Sequence, residues 1–164
     1  MIREAHSKDA INLAALSIQV WLETYALEGI RAEYANYVLT TFTKDYFEDL
    51  IQQPQYRLFI SEEDQVLQGY ALVNLDSHFK TKKNGFEIDK LYVHSKFKGQ
   101  GLARQLLSEV ATNCGERFWL YTWVENESNA FYQHLGFTQI GQLSFEFSHW
   151  LIENNVYAFN YKQQ

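Results

Sequence analysis

The chain has 164 residues, 46% of them hydrophobic and 16% aromatic, with a single proline. This is the composition of one folded domain, and we expect it to span 1–164. It carries 14 basic against 20 acidic residues, a net charge of −6. That balance argues against a broad nucleic-acid footprint and suits a cationic partner. No apolar run reaches membrane-spanning length, the N-terminus lacks the apolar segment of a signal peptide, and the lone Cys114 excludes an internal disulfide. A cytoplasmic protein without membrane or nucleic-acid partners is the expectation, with Cys114 a packed small side chain.

In chain order, "IREA" predicts a short strand. Ser7 or Asp9 is placed to cap a following helix, whose apolar residues Ile11, Ala14, Ala15, Ile18 and Trp21 or Leu22 recur at helical spacing. "AEYANYVLTTFTKDYFEDLIQ" continues helical, interrupted at its threonines and ended by Pro54. "YRLFISEED" and "VLQGYALVNLD" predict two strands joined at "EEDQ". "FKTKKNG" is a polar hairpin tip ending in the turn pair Asn-Gly, and "FEIDKLYVH" alternates as a strand. After a basic, glycine-punctuated stretch comes a helix over "LARQLLSEVATNC", striped by Leu102, Leu106 and Val110 and ended by Gly115. "RFWLYTWV" predicts a buried strand, "NAFYQHLG" a short helix closed at Gly136, and "FTQIGQLSFEF" and "VYAFNY" late strands. The order β, α, α, β, β, β, α, β, α, β, β predicts an α/β (α+β) domain with a mixed sheet flanked by helices.

The stretch "SKFKGQGLARQLL" runs from glycines directly into a helix. A helix start has free amides and a positive dipole end, so it can hold phosphate. The specific nucleotide motifs fail. "GQGLAR" lacks the Gly-Lys-Ser/Thr of a phosphate-binding Walker loop, and Arg104 stands where the dinucleotide fingerprint has its third glycine. The glycines alone fit an ordinary loop equally well.

The next segment alters the balance. "IDKLYVHSKFKGQGLARQLL", followed by "FWLYTWVENESNAFYQHLGF", resembles the GNAT superfamily of N-acetyltransferases over residues 87–137. Lys96 departs from the glutamine or arginine usual there. With "GQLSFEF", the same blocks are similar to the bacterial polyamine (spermidine/spermine) acetyltransferase branch.

The resemblance implies acetyl-CoA as donor and an amine as acceptor. It implies that Lys98, Gly99, Gln100, Gly101, Leu102 and Ala103 hold the CoA pyrophosphate, with Lys96, Lys98 or Arg104 touching phosphates from the side. It implies that Leu91, Tyr92 and Val93 pair with the pantetheine arm, and that Asn126 and Asn129 help hold it. Either asparagine is equally readable as a helix cap. Tyr132 matches the tyrosine that protonates the leaving thiolate. Strand alternation, if no bulge intervenes, sets Glu87, Asp89, Leu91 and Val93 on one face, making Glu87 and Asp89 the candidate general bases. Surface acids and a packed aromatic are the plain alternatives. Trp21, Tyr25, Tyr34 and Tyr37 are candidate walls of an acceptor pocket, with Glu23, Glu28 and Glu33 drawing cations; core packing explains the same aromatics. Histidines 6, 78, 94, 134 and 149 show no metal-ligand spacing, so no metal is expected.

The expected function is N-acetyl transfer to a primary amine of a small, cationic acceptor such as a polyamine. A peptide N-terminus, a lysine or an aminoglycoside as acceptor, and a non-catalytic acetyl-CoA-binding module, are the alternatives. The aromatic tail "SFEFSHWLIENNVYAFNY" permits a homodimer by strand pairing.

Overall fold

A computed structural model describes residues 1–161. The last three residues of the expected domain, 162–164, lie outside the described residues. Strands β1 (Ile2–Glu4), β2 (Tyr56–Glu63), β3 (Val66–Asn74), β4 (Phe86–Val93), β5 (Arg117–Trp123), β6 (Thr138–Phe147) and β7 (Trp150–Asn160) form one sheet in the order β1-β2-β3-β4-β5-β7-β6. Every neighbouring pair is antiparallel except β4 and β5.

The helices are α1 (Ala10–Tyr25), α2 (Ala32–Thr41), α3 (Lys44–Gln52), α4 (Leu102–Cys114) and α5 (Ser128–Leu135). The expected second helix is two. Thr43 takes an extended backbone, and its hydroxyl accepts the Tyr46 amide at 3.1 Å to start α3 afresh. Asp9 caps differently from expectation. Its carboxylate reaches back to the His6 amide at 2.7 Å and pairs with Arg3 instead of capping α1. Asp64 and Gln65, both at positive φ (50° and 65°), make the two-residue turn between β2 and β3. β7 begins at Trp150, six residues before the expected strand, because its first half pairs with the end of β6.

The sheet buries both faces. On one, α4 and α5 set Leu106, Leu107, Val110, Tyr132 and Leu135 against Phe59, Ala71, Val73, Phe86, Ile88, Phe118 and Leu120. On the other, α1, α2 and α3 bring Leu13, Trp21, Val38, Phe47 and Leu50 onto Leu58, Ile60, Tyr70 and Leu72. Each such side chain contributes about 1.5–3 kcal/mol by leaving water, so the two layers hold the sheet from both sides.

Candidate active site

The parallel pair β4–β5 is joined at one end only. Phe86 faces Phe118 and Glu87 faces Trp119, and beyond these the strands part. β4 stays with β3 as far as Val93, and β5 stays with β7 as far as Trp123. Two features create the split. Gly85, at φ 81°, lets the hairpin tip press on Arg117, where a Cβ would lie 1.9 Å from the Arg117 carbonyl; this anchors the joined end. A bulge then bends β4 away: Val73 pairs with Ile88 and Leu72 with Lys90, leaving Asp89 as the extra residue. The backbone groups of Leu91 and Val93 turn from β3 into the gap and have no strand partner, whereas those of Tyr92 face Tyr70 of β3.

The bulge corrects the simple alternation expected from sequence. Leu91 now packs with Phe86 and Ile88 under α4, whereas Tyr92 joins the layer under α1. Glu87 and Leu91 therefore lie on opposite faces. Glu87 and Asp89 still interact, and both act on Tyr121 of β5.

Glu87 is 7% exposed, and burial, with Asp89 beside it, pushes its carboxyl up to about 7. Lys90 donates to Asp89 at 3.0 Å and lies 5.8 Å from the Phe42 ring. Burial works against its charge, and Asp89, with Tyr92 and Tyr46, more than offsets that, holding Lys90 above its ordinary value. Burial and the carboxylates of Glu87 and Asp89 raise Tyr121 to about 12.

At the end of β4, His94 begins a 3₁₀ turn, its Nδ1 accepting the Lys96 amide at 3.0 Å. Gly99 and Gly101 both sit at φ 80°. A Cβ at Gly99 would meet nothing within 4 Å, and one at Gly101 only the Gln105 side chain at 3.9 Å. The glycines are thus required by backbone conformation and leave open space over the exposed segment Lys98, Gly99, Gln100 and Gly101. Gln105 is the residue whose amide closes onto the Gly101 carbonyl, so the amides of Leu102, Ala103 and Arg104 lack the partners a longer helix would supply. This cradle fits a pyrophosphate.

Tyr132 lies in the layer under α4, with ring centroids 5.4 Å from Phe137 and 6.1 Å from Tyr157. Burial raises its phenol well above the usual value, which keeps it protonated. The two asparagines differ. Asn129 donates to the carbonyls of Trp123, Val124 and Asn126 and accepts from Asn155 and Tyr157. Its hydrogen-bonding capacity is filled, so it braces the turn after β5. Asn126 accepts the Ser128 amide through its oxygen, as a turn cap.

A pocket of about 330 Å³ opens beside the gap. Trp21, Tyr25 and Tyr34 line it from α1 and α2, Trp123 from β5, and Phe147 and Trp150 from the β6–β7 hairpin. Tyr37 stands behind, its ring 5.0 Å from Trp21. The acids are not those expected. Glu23, Glu28 and Glu33 do not line the pocket; Glu125 and Glu153 do. No local pattern in the sequence joins residues 125 and 153 to α1. Among the described residues, no group of three or more His, Cys, Asp or Glu side chains is placed to hold a metal ion, and no helix is long and apolar enough to cross a membrane.

Residues 23–137 match the model of the acetyltransferase (GNAT) family. The protein belongs to that family. It is an acetyl-CoA-dependent acyltransferase, in keeping with the split strands and the helix-start cradle. An uncharacterised N-acetyltransferase of Lactobacillus delbrueckii is 25% identical over 149 residues, 86% of each chain. The L-amino acid N-acyltransferase MnaT of Escherichia coli is 32% identical over 105 residues, 58% of this chain and 60% of that one. In fold, the chain is similar to the PaiA N-acetyltransferase of Thermoplasma acidophilum in complex with coenzyme A (TM-score 0.77, 18% identity, 98% of each chain). It is likewise similar to an acetyltransferase of Salmonella typhimurium with acetyl-CoA (TM-score 0.64, 23% identity, covering 98% of this chain and 92% of that one).

Proposed function

We propose that this enzyme acetylates a primary amine of a small cationic acceptor in the cytoplasm, with a polyamine as the first to test. The observation that carries the reading is Glu87, a buried carboxylate at the root of the split strands with its pKa raised to about 7, on a strand pair whose open end, at Trp123, borders a pocket edged by two further acids.

An ammonium has no free lone pair, so a proton must leave first. Glu87, once ionised, takes it directly or through water, and Asp89 reinforces the negative field. The amine nitrogen then bonds to the thioester carbonyl carbon, and the carbon–sulfur bond breaks. The amide of Val93, which turns away from β3 into the gap, faces the developing oxyanion. The nitrogen sheds its second proton to solvent. Tyr132 protonates the leaving thiolate and regains a proton from solvent, giving the N-acetylated amine and the CoA thiol. Lys98 to Ala103 bind the pyrophosphate through backbone amides, Arg104 contacts phosphate from the side, and Leu91 to Val93 pair with the pantetheine arm. Asn126 has amide hydrogens to offer the same arm; Asn129 serves it by bracing the turn.

An amino-acid acceptor, which the name of the Escherichia coli relative gives for that protein, needs a cation for its carboxylate. Lys90, the cation that acts on Glu87, is already paired with Asp89, and the exposed Arg31, over the Trp150 ring, stays outside the pocket lining. With two carboxylates and no cation among the described residues of the lining, the pocket favours a polycation.

The test is thiol release from acetyl-CoA against spermidine, spermine, amino acids, an aminoglycoside and N-terminal peptides, with Tyr132→Phe alongside. Release with the polyamines, slowed about 10²-fold in the variant, is expected from loss of a general acid. Release with amino acids alone would overturn the acceptor. Silence across the panel, with acetyl-CoA still raising Tm, would mark a binding module without catalysis.

A further inference from the structure

The aromatic pocket is built as a continuous lattice of rings. Trp21 stands with its centroid 4.8 Å from Tyr25, 5.7 Å from Tyr34 and 5.6 Å from Phe147. Tyr25 continues to Trp123 at 5.6 Å, and Tyr34 to Trp150 at 6.1 Å. Ring faces attract cations, and the attraction grows where water is kept away. Trp150 already holds one: the Arg31 guanidinium lies 6.0 Å from its centroid, although Arg31 is not part of the lining.

Charge distinguishes this pocket from a plain apolar one. Among the described residues, its charged lining residues are Glu125 and Glu153, both exposed. An apolar ligand gains nothing from two carboxylates, whereas an organic cation gains from both carboxylates and rings. The pocket opens at the end of β5: Trp119 pairs with Glu87, and Trp123, four residues further along the same face of that strand, lines the pocket. Tyr121 stands between them on that face. An extended ligand seated in the pocket therefore reaches back along β5, over about 13 Å, toward the carboxylate that receives the proton.

We propose that the pocket is a cation subsite: rings from α1, α2, β5 and the β6–β7 hairpin, with Glu125 and Glu153, hold a second, non-reacting ammonium of the acceptor while its primary amine reaches Glu87. The part concerning the acceptor rests on the function proposed above; the cation site does not. Because rings make up most of the wall, an N-methylated ammonium is held as well as a bare one, since methyl groups weaken hydration without removing charge. The acceptor class is thus a di- or polyamine with one free primary amine and one ammonium that tolerates methylation.

Choline and its uncharged isostere 3,3-dimethyl-1-butanol are the probes, titrated against the full chain with tryptophan fluorescence and calorimetry, without acetyl-CoA. Choline should bind at least about tenfold more tightly than the isostere. The exposed changes Glu125→Gln with Glu153→Gln should erase most of that preference, and Trp150→Leu should weaken choline severalfold. In turnover, the double glutamine variant should lower kcat/KM for a diamine relative to a monoamine of equal length about tenfold, and a mono-trimethylated diamine should remain an acceptor at its free end. Equal binding of choline and isostere, or a choline affinity untouched by both sets of variants, overturns the subsite even if polyamines are acetylated. Choline binding that responds to the variants, with no amine acetylated, leaves the cation site standing and removes the acceptor reading.

Discussion

Under the proposed function, the two sides of the split sheet would recognise their ligands by different means. The donor side is backbone from one continuous stretch, Leu91 through Arg104, shaped by two glycines at positive φ and by amides free at a helix start. The acceptor side is side chains, drawn from Trp21 through Glu153 and brought together only by the fold. Amides are offered by any residue other than proline, so the donor side tolerates side-chain change as long as its glycines remain. On the acceptor side a few substitutions alter the charge and shape that select the ligand.

The sharpest way to divide the two sides is Glu87→Gln. It should lower kcat about 10²–10³-fold, in the range of a lost general base, and leave acetyl-CoA binding intact. Wild-type activity should rise with pH through an apparent pKa near 7, because Glu87 titrates at about 7 and acts only when ionised. The variant should lose that limb in a pH–rate profile; an unchanged limb would remove Glu87 from its role.

The same substitution also probes stability. The Glu87 carboxyl titrates at about 7 when folded, against an ordinary 4.5. Below both values each state holds the proton and there is no difference. Above both, the folded state carries the full cost of the buried charge, about 3 kcal/mol at 1.36 kcal/mol per pH unit. Wild-type stability therefore falls as pH rises from 4.5 to 7. Glu87→Gln should be more stable than wild type by up to about 3 kcal/mol at pH 8, with the gain gone by pH 4 in denaturant unfolding. A buried base that weakens the fold yet is needed for turnover is the pattern of a functional group.

The smallest effect is expected on the donor side. Gly101→Ala forces a side chain into the left-handed region at a cost of about 1 kcal/mol, with open space for the methyl group. KM for acetyl-CoA should rise severalfold, up to about tenfold, with acceptor KM unchanged. An equal rise in both would contradict the division between backbone and side-chain recognition.

The cradle was legible because its signals are local. A glycine at a required φ, a helix beginning beside it and a strand before it all lie within a dozen residues, and the helix over 102–114 is the one the spacing predicts. The acceptor side was half legible. Trp21, Tyr25 and Tyr34 were expected as walls, but the acids expected with them were neighbours in sequence, and those in place are neighbours in space. The bulge at Asp89 left no mark in "FEIDKLYVH", whose alternation reads the same with or without an extra residue.

The sequence by itself determined most of the elements, the glycine turn before the helix over 102–114 and the family resemblance, since these depend on residues that touch their own neighbours along the chain. Only the tertiary structure decided where β4 leaves β5, which carboxylate is buried, which asparagine is already occupied, and that the turn after β5 and the β6–β7 hairpin set Glu125 and Glu153 beside the α1 aromatics. The reason is physical. Backbone conformation answers to steric limits and hydrogen bonds a few residues apart, whereas a carboxylate's pKa and a pocket's lining answer to everything packed around them, which chain spacing does not encode.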